Sequence, residues 1–424
     1  MKYERLLKIA SGGTASVWVG SAAGAMGFRQ LVAIKRPHAH LADDAAFRAA
    51  LVEEAKIAAR LRHANAVDVR DVEVDETGIQ LVMDWVEGGS LSDLIRGWSS
   101  DTPRRAAAVA IRVVLDACQG LDALHELTDD HGKALGCVHR DVSPANVLVG
   151  LDGVGRITDF GLAKPLLAVE RTTSEGALRG KLGYMAPEYI RGKGFDRRVD
   201  VFAMAIVLWE ALARKRLFRG ENDADTLNRV QRQTAPSLAF AAPWVGEAGE
   251  ALDALLSRGL AKDPDARITT IAAFAEELEA IARANDLLAS HAEVREAFPA
   301  TLRAELEERR RQIAALGTRE PESIAPQALT IADAAPQPSR AIWAMPVVIA
   351  LVGVGAFLEL RANATGEPRD ARTVASDLVG RGDDVRTRAP VPPTVTPVKA
   401  VGMPRASAPP AQSGFAPRPN PYLK

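Results

Sequence analysis

The chain has 424 residues, 47% hydrophobic and 25% charged, with 53 Lys and Arg against 54 Asp and Glu. This composition belongs to a globular protein of about two or three units and excludes a wholly disordered chain. The charge balance gives no global basis for a nucleic-acid partner, and two cysteines, Cys118 and Cys137, are too few for a disulfide framework and lack zinc-type spacing, so a reducing compartment is expected.

The first residues, MKYERLLKIASGG, lack the apolar core of a signal peptide, so the N-terminal portion is expected to stay in the cytoplasm. Residues 5–35 read as three short strands: RLLKIA, then the small-residue turn SGGTA, SVWVGSA, a glycine-containing turn, and LVAIK. Amides in a turn of Gly, Ser, Thr and Ala can cradle phosphate oxygens because small side chains expose the main chain. Most such turns are plain hairpins, so the turn alone assigns nothing. A helix-patterned segment, DDAAFRAALVEEAKIAARLRH, carries Glu53 and Glu54. His139-Arg140-Asp141 and Asn146 come next, then Asp159-Phe160-Gly161 and Ala186-Pro187-Glu188. Asp200 opens VFAMAIVLWEAL, a run apolar enough for a buried central helix.

Beyond about residue 285 the texture changes. Residues 286–316 form a helical extension whose clustered charge predicts one or two exposed helices flanking the core. Residues 317–340 have the Pro, Ala, Gln and Ser composition of a flexible linker. Residues 341–358 carry no charge and read as a single membrane-spanning helix, at the short end of the length required. Counting Arg340 before it against Arg361, Arg369 and Arg372 after it favours a cytoplasmic tail, but a large N-terminal domain without an export signal is expected to outweigh that bias. Residues 361–424 hold eleven prolines and read as a basic disordered tail.

Taken in order, Val-Ala-Ile-Lys ending at Lys35, Glu54, His139-Arg140-Asp141 with Asn146, Asp159-Phe160-Gly161 and Ala186-Pro187-Glu188 resemble the motifs of the bacterial eukaryotic-type (Hanks-type) Ser/Thr protein kinases, over residues 3 to about 285. The resemblance implies an α+β, two-lobed fold: a small antiparallel sheet with one helix to about residue 82, and a larger, mainly helical lobe to about 285. It implies transfer of the γ-phosphate of ATP, with Mg2+, to Ser/Thr hydroxyls of a protein substrate. Such transfer requires a cation, metal ligands and a carboxylate at the acceptor.

By the same resemblance Lys35 bridges the nucleotide phosphates and pairs with Glu54, Glu53 being the rival; Asp141 orients or accepts the acceptor proton; Asn146 and Asp159 hold Mg2+. Gly12 and Gly13 lie in the phosphate turn. Val17, Ala33, Met83 and Leu148 surround the base, with the backbone of Asp84 to Val86 at the hinge. Arg267 partners Glu188 as scaffold. Thr172, Thr173 and Ser174 offer hydroxyls for autophosphorylation, with Arg140 to receive the phosphate. Anchoring by the 341–358 helix puts the kinase domain on the cytoplasmic side of the cell inner membrane, and a homodimer would serve autophosphorylation.

The chain departs from the family pattern at four positions. Ala10 and Ala15 stand where the phosphate turn usually has glycine, Ser143 where the catalytic loop usually has Lys, and Lys181, in RGKLGYMAPE, where Thr is usual. One reading exchanges the two chemical types, with Lys181 supplying the charge and Ser143 the hydroxyl's hydrogen bond. The other takes Ser143 as the mark of a weakened site, which with Ala10 and Ala15 points to a pseudokinase scaffold. Retention of Lys35, Glu54, Asp141, Asn146 and Asp159 favours the enzyme.

Overall fold

The computed structural model describes residues 2–317, apart from 13, 14, 25, 27, 43, 76, 77 and 161–180. Strands β1 (Tyr3–Ser11), β2 (Ala15–Ala23), β3 (Arg29–Pro37), β4 (Val69–Asp75) and β5 (Gly78–Asp84) form an antiparallel sheet in the order β1-β2-β3-β5-β4. The first three are longer than their apolar runs because the ladder continues into polar ends, where Ala22 faces Gln30 and Ala23 faces Arg29. Cross-strand partners share a face, so Val17 opposite Lys35, Val19 opposite Ala33 and Ala33 opposite Met83 put the expected base-site residues and the lysine on one side. The other side buries Tyr3, Val32, Ile34 and Val82 as a separate small core.

After a single turn, α1 (Ala39–Ala42), the helix α2 (Ala45–Ala58) presents Ala55 and Ala58, both nearly fully buried, to the face that carries Ala33, Leu81 and Met83. Alanine at these positions lets helix and sheet approach closely. Asn65 ties this lobe to the next: its Nδ2 donates to the Gly155 carbonyl at 3.0 Å, and its own carbonyl accepts from Ile157 at 2.8 Å. Gly120 is required beneath it, because a Cβ there would collide with the Asn65 carbonyl.

The second lobe opens with β6 (Gly88–Ser90), which pairs with β7 (Val147–Gly150) and β8 (Gly155–Ile157). A capping box of Ser90 and Asp93 starts α3 (Leu91–Gly97), and α4 (Pro103–His125) follows. Then come α5 (Pro187–Ile190), α6 (Arg198–Ala213), α7 (Asp223–Arg232), α8 (Leu238–Ala241), α9 (Ala248–Gly259) and α10 (Ile271–Ala284). Every residue of α6 from Val199 to Ala213 is buried, as expected for a helix apolar on all sides.

The extension forms α11 (His291–Glu296) and α12 (Ala300–Gly317). It is largely exposed and packs on the core through Val294, Phe298, Leu302 and Leu306, which are buried. The dense charge of the segment masks this sparse apolar row. Among the described residues no helix is long and apolar enough to cross a membrane. The candidate span at 341–358 lies outside them, as do the linker from 318 and the tail at 361–424.

One buried ion pair locks the larger lobe. Arg267 donates from Nη1 to Glu188 Oε1 at 2.6 Å and from Nη2 to Oε2 at 3.0 Å, and it also reaches the carbonyls of Ala261 and Arg198. Removing one partner strands the other charge in the core. Arg267→Ala is therefore expected to cost about 3–5 kcal/mol, read as a lower denaturant midpoint; a loss below about 1 kcal/mol would refute this role.

Candidate active site

The loop that bears Asp141 is built around a buried carboxylate. Asp200, at the start of α6, accepts the backbone N–H of His139 at 2.7 Å and of Arg140 at 2.9 Å, and its Oδ2 lies 2.8 Å from His125 Nε2. Arg140 is held at φ 63°, in the left-handed region that costs a non-glycine residue about 1–2 kcal/mol. The side chain of His139, fully buried, sets Nε2 3.1 Å from the Thr158 carbonyl and packs edge-on to Phe160. Asp159, between those two residues, is also left-handed at φ 61°. One histidine thus joins the Asp141 loop to the Asp159 segment.

Four charges alternate across the cleft. Lys35 Nζ lies 2.8 Å from Asp159 Oδ1, and Lys181 Nζ 2.5 Å from Asp141 Oδ2. Burial works against the charged form of Lys35, yet the Asp159 carboxylate, with Glu54 and Asp141 further off, holds its pKa above the ordinary lysine value. Burial likewise opposes ionisation of Asp159, and the Lys35 and Lys181 ammonium groups outweigh it, holding that carboxyl below its usual range. Asn146 donates from Nδ2 to the Asp141 carbonyl at 2.7 Å and to Asp141 Oδ2 at 3.1 Å, which assigns its amide orientation and leaves Oδ1 as the donor for a cation.

The expected residues come together with one difference, at Ser143. Lys35 forms an ion pair with Asp159, and the charge of Glu54 acts on the same lysine. The rival Glu53 is exposed and bonds Lys56 at 2.6 Å, so α2 turns it away from the cleft. Lys181 reaches Asp141 as the exchange reading expects, but Ser143 does not take up a hydrogen-bonding role: its Oγ is buried and has no partner. Val17 and Leu148 are half-buried, Ala33 and Met83 buried, and Asp84 and Val86 follow at the end of β5. In the phosphate turn Gly12 donates to the Ala15 carbonyl at 2.9 Å, and His38 Nε2 lies 2.7 Å from the Gly12 carbonyl. Ala10 and Ala15 sit in the ladder opposite Val17 and Pro37. Gly13, Thr172, Thr173 and Ser174 lie outside the described residues.

Beside Asp141, Arg140, Ser143 and Lys181 line a pocket together with Tyr184, Met185 and Tyr189, three residues that sequence reasoning did not foresee. The Tyr184 hydroxyl donates to Glu210 Oε2 at 2.7 Å. Burial raises the pKa of Glu210 even though Arg216 and Tyr184 oppose this. Proximity to Ala186-Pro187-Glu188 was the only signal for these residues. His125 had none, since its partner lies on another helix.

The protein kinase domain model matches residues 3–278 of this chain. The chain belongs to the protein kinase family. The kinase is 35% identical over 284 residues to "Tyrosine-protein kinase MasK" of Myxococcus xanthus, covering 65% of this chain and 42% of that one. It is 34% identical over 253 residues to "Serine/threonine-protein kinase PknB" of Mycolicibacterium smegmatis, covering 58% and 38%. It therefore spans about two fifths of the length of the curated relatives it matches. A solved PknI kinase domain of Mycobacterium tuberculosis shares the fold, with a TM-score of 0.50 at 23% identity over 66% of this chain and 96% of that one. These relatives place it among the bacterial Hanks-type kinases, and the two-lobed kinase fold is that of the described residues.

The opposite orientations of the two glutamates on α2 give a direct comparison. Glu54→Gln is expected to lower kcat/KM at least tenfold, and Glu53→Gln to change it less than twofold, in steady-state phosphorylation assays. Equal effects of the two would contradict the placement of Glu54 beside Lys35.

Proposed function

We propose that this kinase moves the γ-phosphate of ATP, with Mg2+, onto Ser or Thr hydroxyls of proteins, its own activation segment included. The observation that carries the reading is the convergence of Lys35, Asp159, Asn146 and Asp141 from separate stretches into one cleft. A binding scaffold gains nothing from partly buried charges in this order, each of which costs desolvation.

The donor set suits the metal. Among the described residues no group of three or more His, Cys, Asp or Glu could hold an ion alone, but Asn146 Oδ1 and Asp159 are hard oxygen donors, and Mg2+ typically takes one or two protein ligands, with phosphate and water completing the shell. When bound, the ion supplies neutralisation of phosphate charge. Lys35 then exchanges one of its contacts with Asp159 for phosphate oxygens, and Val17, Ala33, Met83 and Leu148 exclude water around the base. Asp141 holds the acceptor hydroxyl and takes its proton. The acceptor oxygen bonds to phosphorus as the bond from phosphorus to the bridging oxygen breaks, and that electron pair leaves with ADP.

The printed name of the Myxococcus xanthus relative supports a second acceptor, tyrosine, and Ser143 does not supply the lysine that would mark Ser/Thr preference by resemblance. Phosphoamino-acid analysis of the product separates the two. We further propose anchoring by residues 341–358 in the cell inner membrane, with the kinase domain cytoplasmic and a homodimer presenting one copy's segment to the other's cleft. The apolar run supports the anchoring and the reducing-compartment composition the cytoplasmic side.

Full-length protein incubated with labelled ATP and Mg2+ should phosphorylate itself and a generic protein substrate; Asp141→Asn should lower the rate at least a thousandfold, and chelation of the metal should abolish it. An active Asp141→Asn chain sinks the assignment. In the active protein, mass spectrometry should find phosphate on at least one of Thr172, Thr173 and Ser174, so three bare hydroxyls would exclude that mode of regulation. Arg140 is the expected receiver: its Nε is buried without a partner, and its guanidinium carbon lies 5.1 Å above the Phe195 ring.

A further inference from the structure

On the loop that carries Asp141 the one Lys or Arg is Arg140, whose guanidinium lies over the Phe195 ring. Residue 143, two positions after the carboxylate, is a serine, 4% exposed, whose hydroxyl finds no hydrogen-bond partner. A buried hydroxyl left in this way costs about 1–3 kcal/mol. The cation comes from elsewhere in the chain. Lys181 stands immediately before the short helical turn Leu182–Tyr184, and its ammonium crosses to Asp141 at 2.5 Å. Ser143 and Lys181 line the same pocket. The lysine is 38% exposed while its carboxylate partner is 10% exposed. The ammonium can therefore leave Asp141 without being drawn out of a closed core.

Three facts point to a working group and not to a stray surface lysine. The pair joins two segments forty positions apart, across the mouth of the site. Asp141 Oδ2 also accepts from Asn146, so Lys181 acts with that amide in orienting the carboxylate. The small side chain at 143 leaves room beside Asp141, where a longer one would bring a competing ammonium.

We propose that Lys181 is the acceptor-side cation of phosphoryl transfer, positioning Asp141 in the resting kinase and moving onto the transferred phosphoryl group as charge develops there, with Ser143 keeping that space open. The inference rests on the kinase reading above. It makes catalysis depend on the segment preceding the Ala186-Pro187-Glu188 turn, since that segment, and not position 143 of the Asp141 loop, carries the lysine. A preorganised donor removed from such a position typically costs 10²–10³-fold in turnover, and an interaction made only in the transition state lowers kcat without raising KM.

The test uses the full-length chain and four variants: Lys181→Met, Lys181→Arg, Lys181→Thr, and the exchange Ser143→Lys with Lys181→Thr. Turnover and the KM for ATP are measured for each, together with Mg2+–ATP affinity by calorimetry and the thermal unfolding midpoint. Lys181→Met is expected to lose about 100-fold in kcat, with nucleotide affinity changed less than threefold and the unfolding midpoint retained. Lys181→Arg should recover at least tenfold over Lys181→Met, and the exchange at least tenfold over Lys181→Thr, because the charge is restored from the other segment. A purely structural role for Lys181 would not be rescued by a lysine at 143. The proposal is overturned if Lys181→Met loses less than tenfold, if nucleotide affinity falls in step with kcat, or if the exchange is no better than Lys181→Thr. An unsubstituted chain that transfers no phosphate overturns this inference and the kinase reading together, whereas an active one with an equally active Lys181→Met overturns the inference alone.

Discussion

Asp200 is the group on which the site is hung. Its carboxylate is almost wholly buried and uses both oxygens, one for the Arg140 amide and the other for the His139 amide and the His125 ring. Buried carboxylates are tolerated only when hydrogen-bonded on this scale. What the three donors achieve together is a backbone that would not persist alone: Arg140 is left-handed, and a strained residue of that kind is stable only where its surroundings over-determine it. With Arg140 fixed, Asp141 follows at a defined angle, and its amide reaches His139 Nδ1 at 3.2 Å. The same imidazole touches the Thr158 carbonyl beside the second left-handed residue, Asp159. Both acidic groups of the cleft thus descend from a single anchor at the head of a helix whose apolar sequence leaves it no place but the core.

The charges of the cleft pair with one another. Two ammonium groups and two carboxylates already satisfy one another, so the desolvation of Lys35 and Asp159 is offset in the folded protein before any ligand arrives. On the proposed reading, binding a triphosphate and a divalent ion is an exchange of partners. That is cheaper than a fresh burial of charge, and it means the dipoles facing the reacting phosphorus need little reorganisation. It also gives a physical reason for the lysines to approach from different elements. Held on one rigid loop, two ammonium groups would repel and could not each track a different carboxylate.

Much of the fold was legible because its signals are local. The nine-residue strands β1–β3 announce themselves by apolar runs and small-residue turns, and α6 by an apolar stretch too long and too uniform for a surface helix. Lys35, Asp141, Asn146 and Asp159 were legible through motif order. What could not be read was pairwise geometry at a distance. The choice between Glu53 and Glu54, about 100° apart on one helix, was legible in the helical pattern of Ala55, Ala58, Ala59 and Leu61, but the bond of Glu53 to Lys56 outside was not. The hydroxyl role expected of Ser143 failed for the same reason, because whether a buried oxygen finds a donor depends on residues far away in sequence. The apolar row of α12 was hidden by its charged neighbours.

That row changes how the hinge must be understood. The segment between the lobes, Glu87-Gly88-Gly89-Ser90, is clamped on two sides. A side chain at Gly88 would strike the Val149 carbonyl of β7, and one at Gly89 would strike Leu302 of α12. Arg310 reaches back to Glu87, with Nη2 2.9 Å from Oε2, and the Trp98 indole donates to the Ala297 carbonyl at 3.2 Å. The two glycines are therefore fixed by close approach and not by any need for positive φ, since neither adopts it. A segment with this composition would ordinarily be the most pliant part of a two-lobed molecule. Here it is held by a helix that also lies against β1 of the first lobe and α3 of the second. The extension therefore packs against both lobes and the segment that joins them.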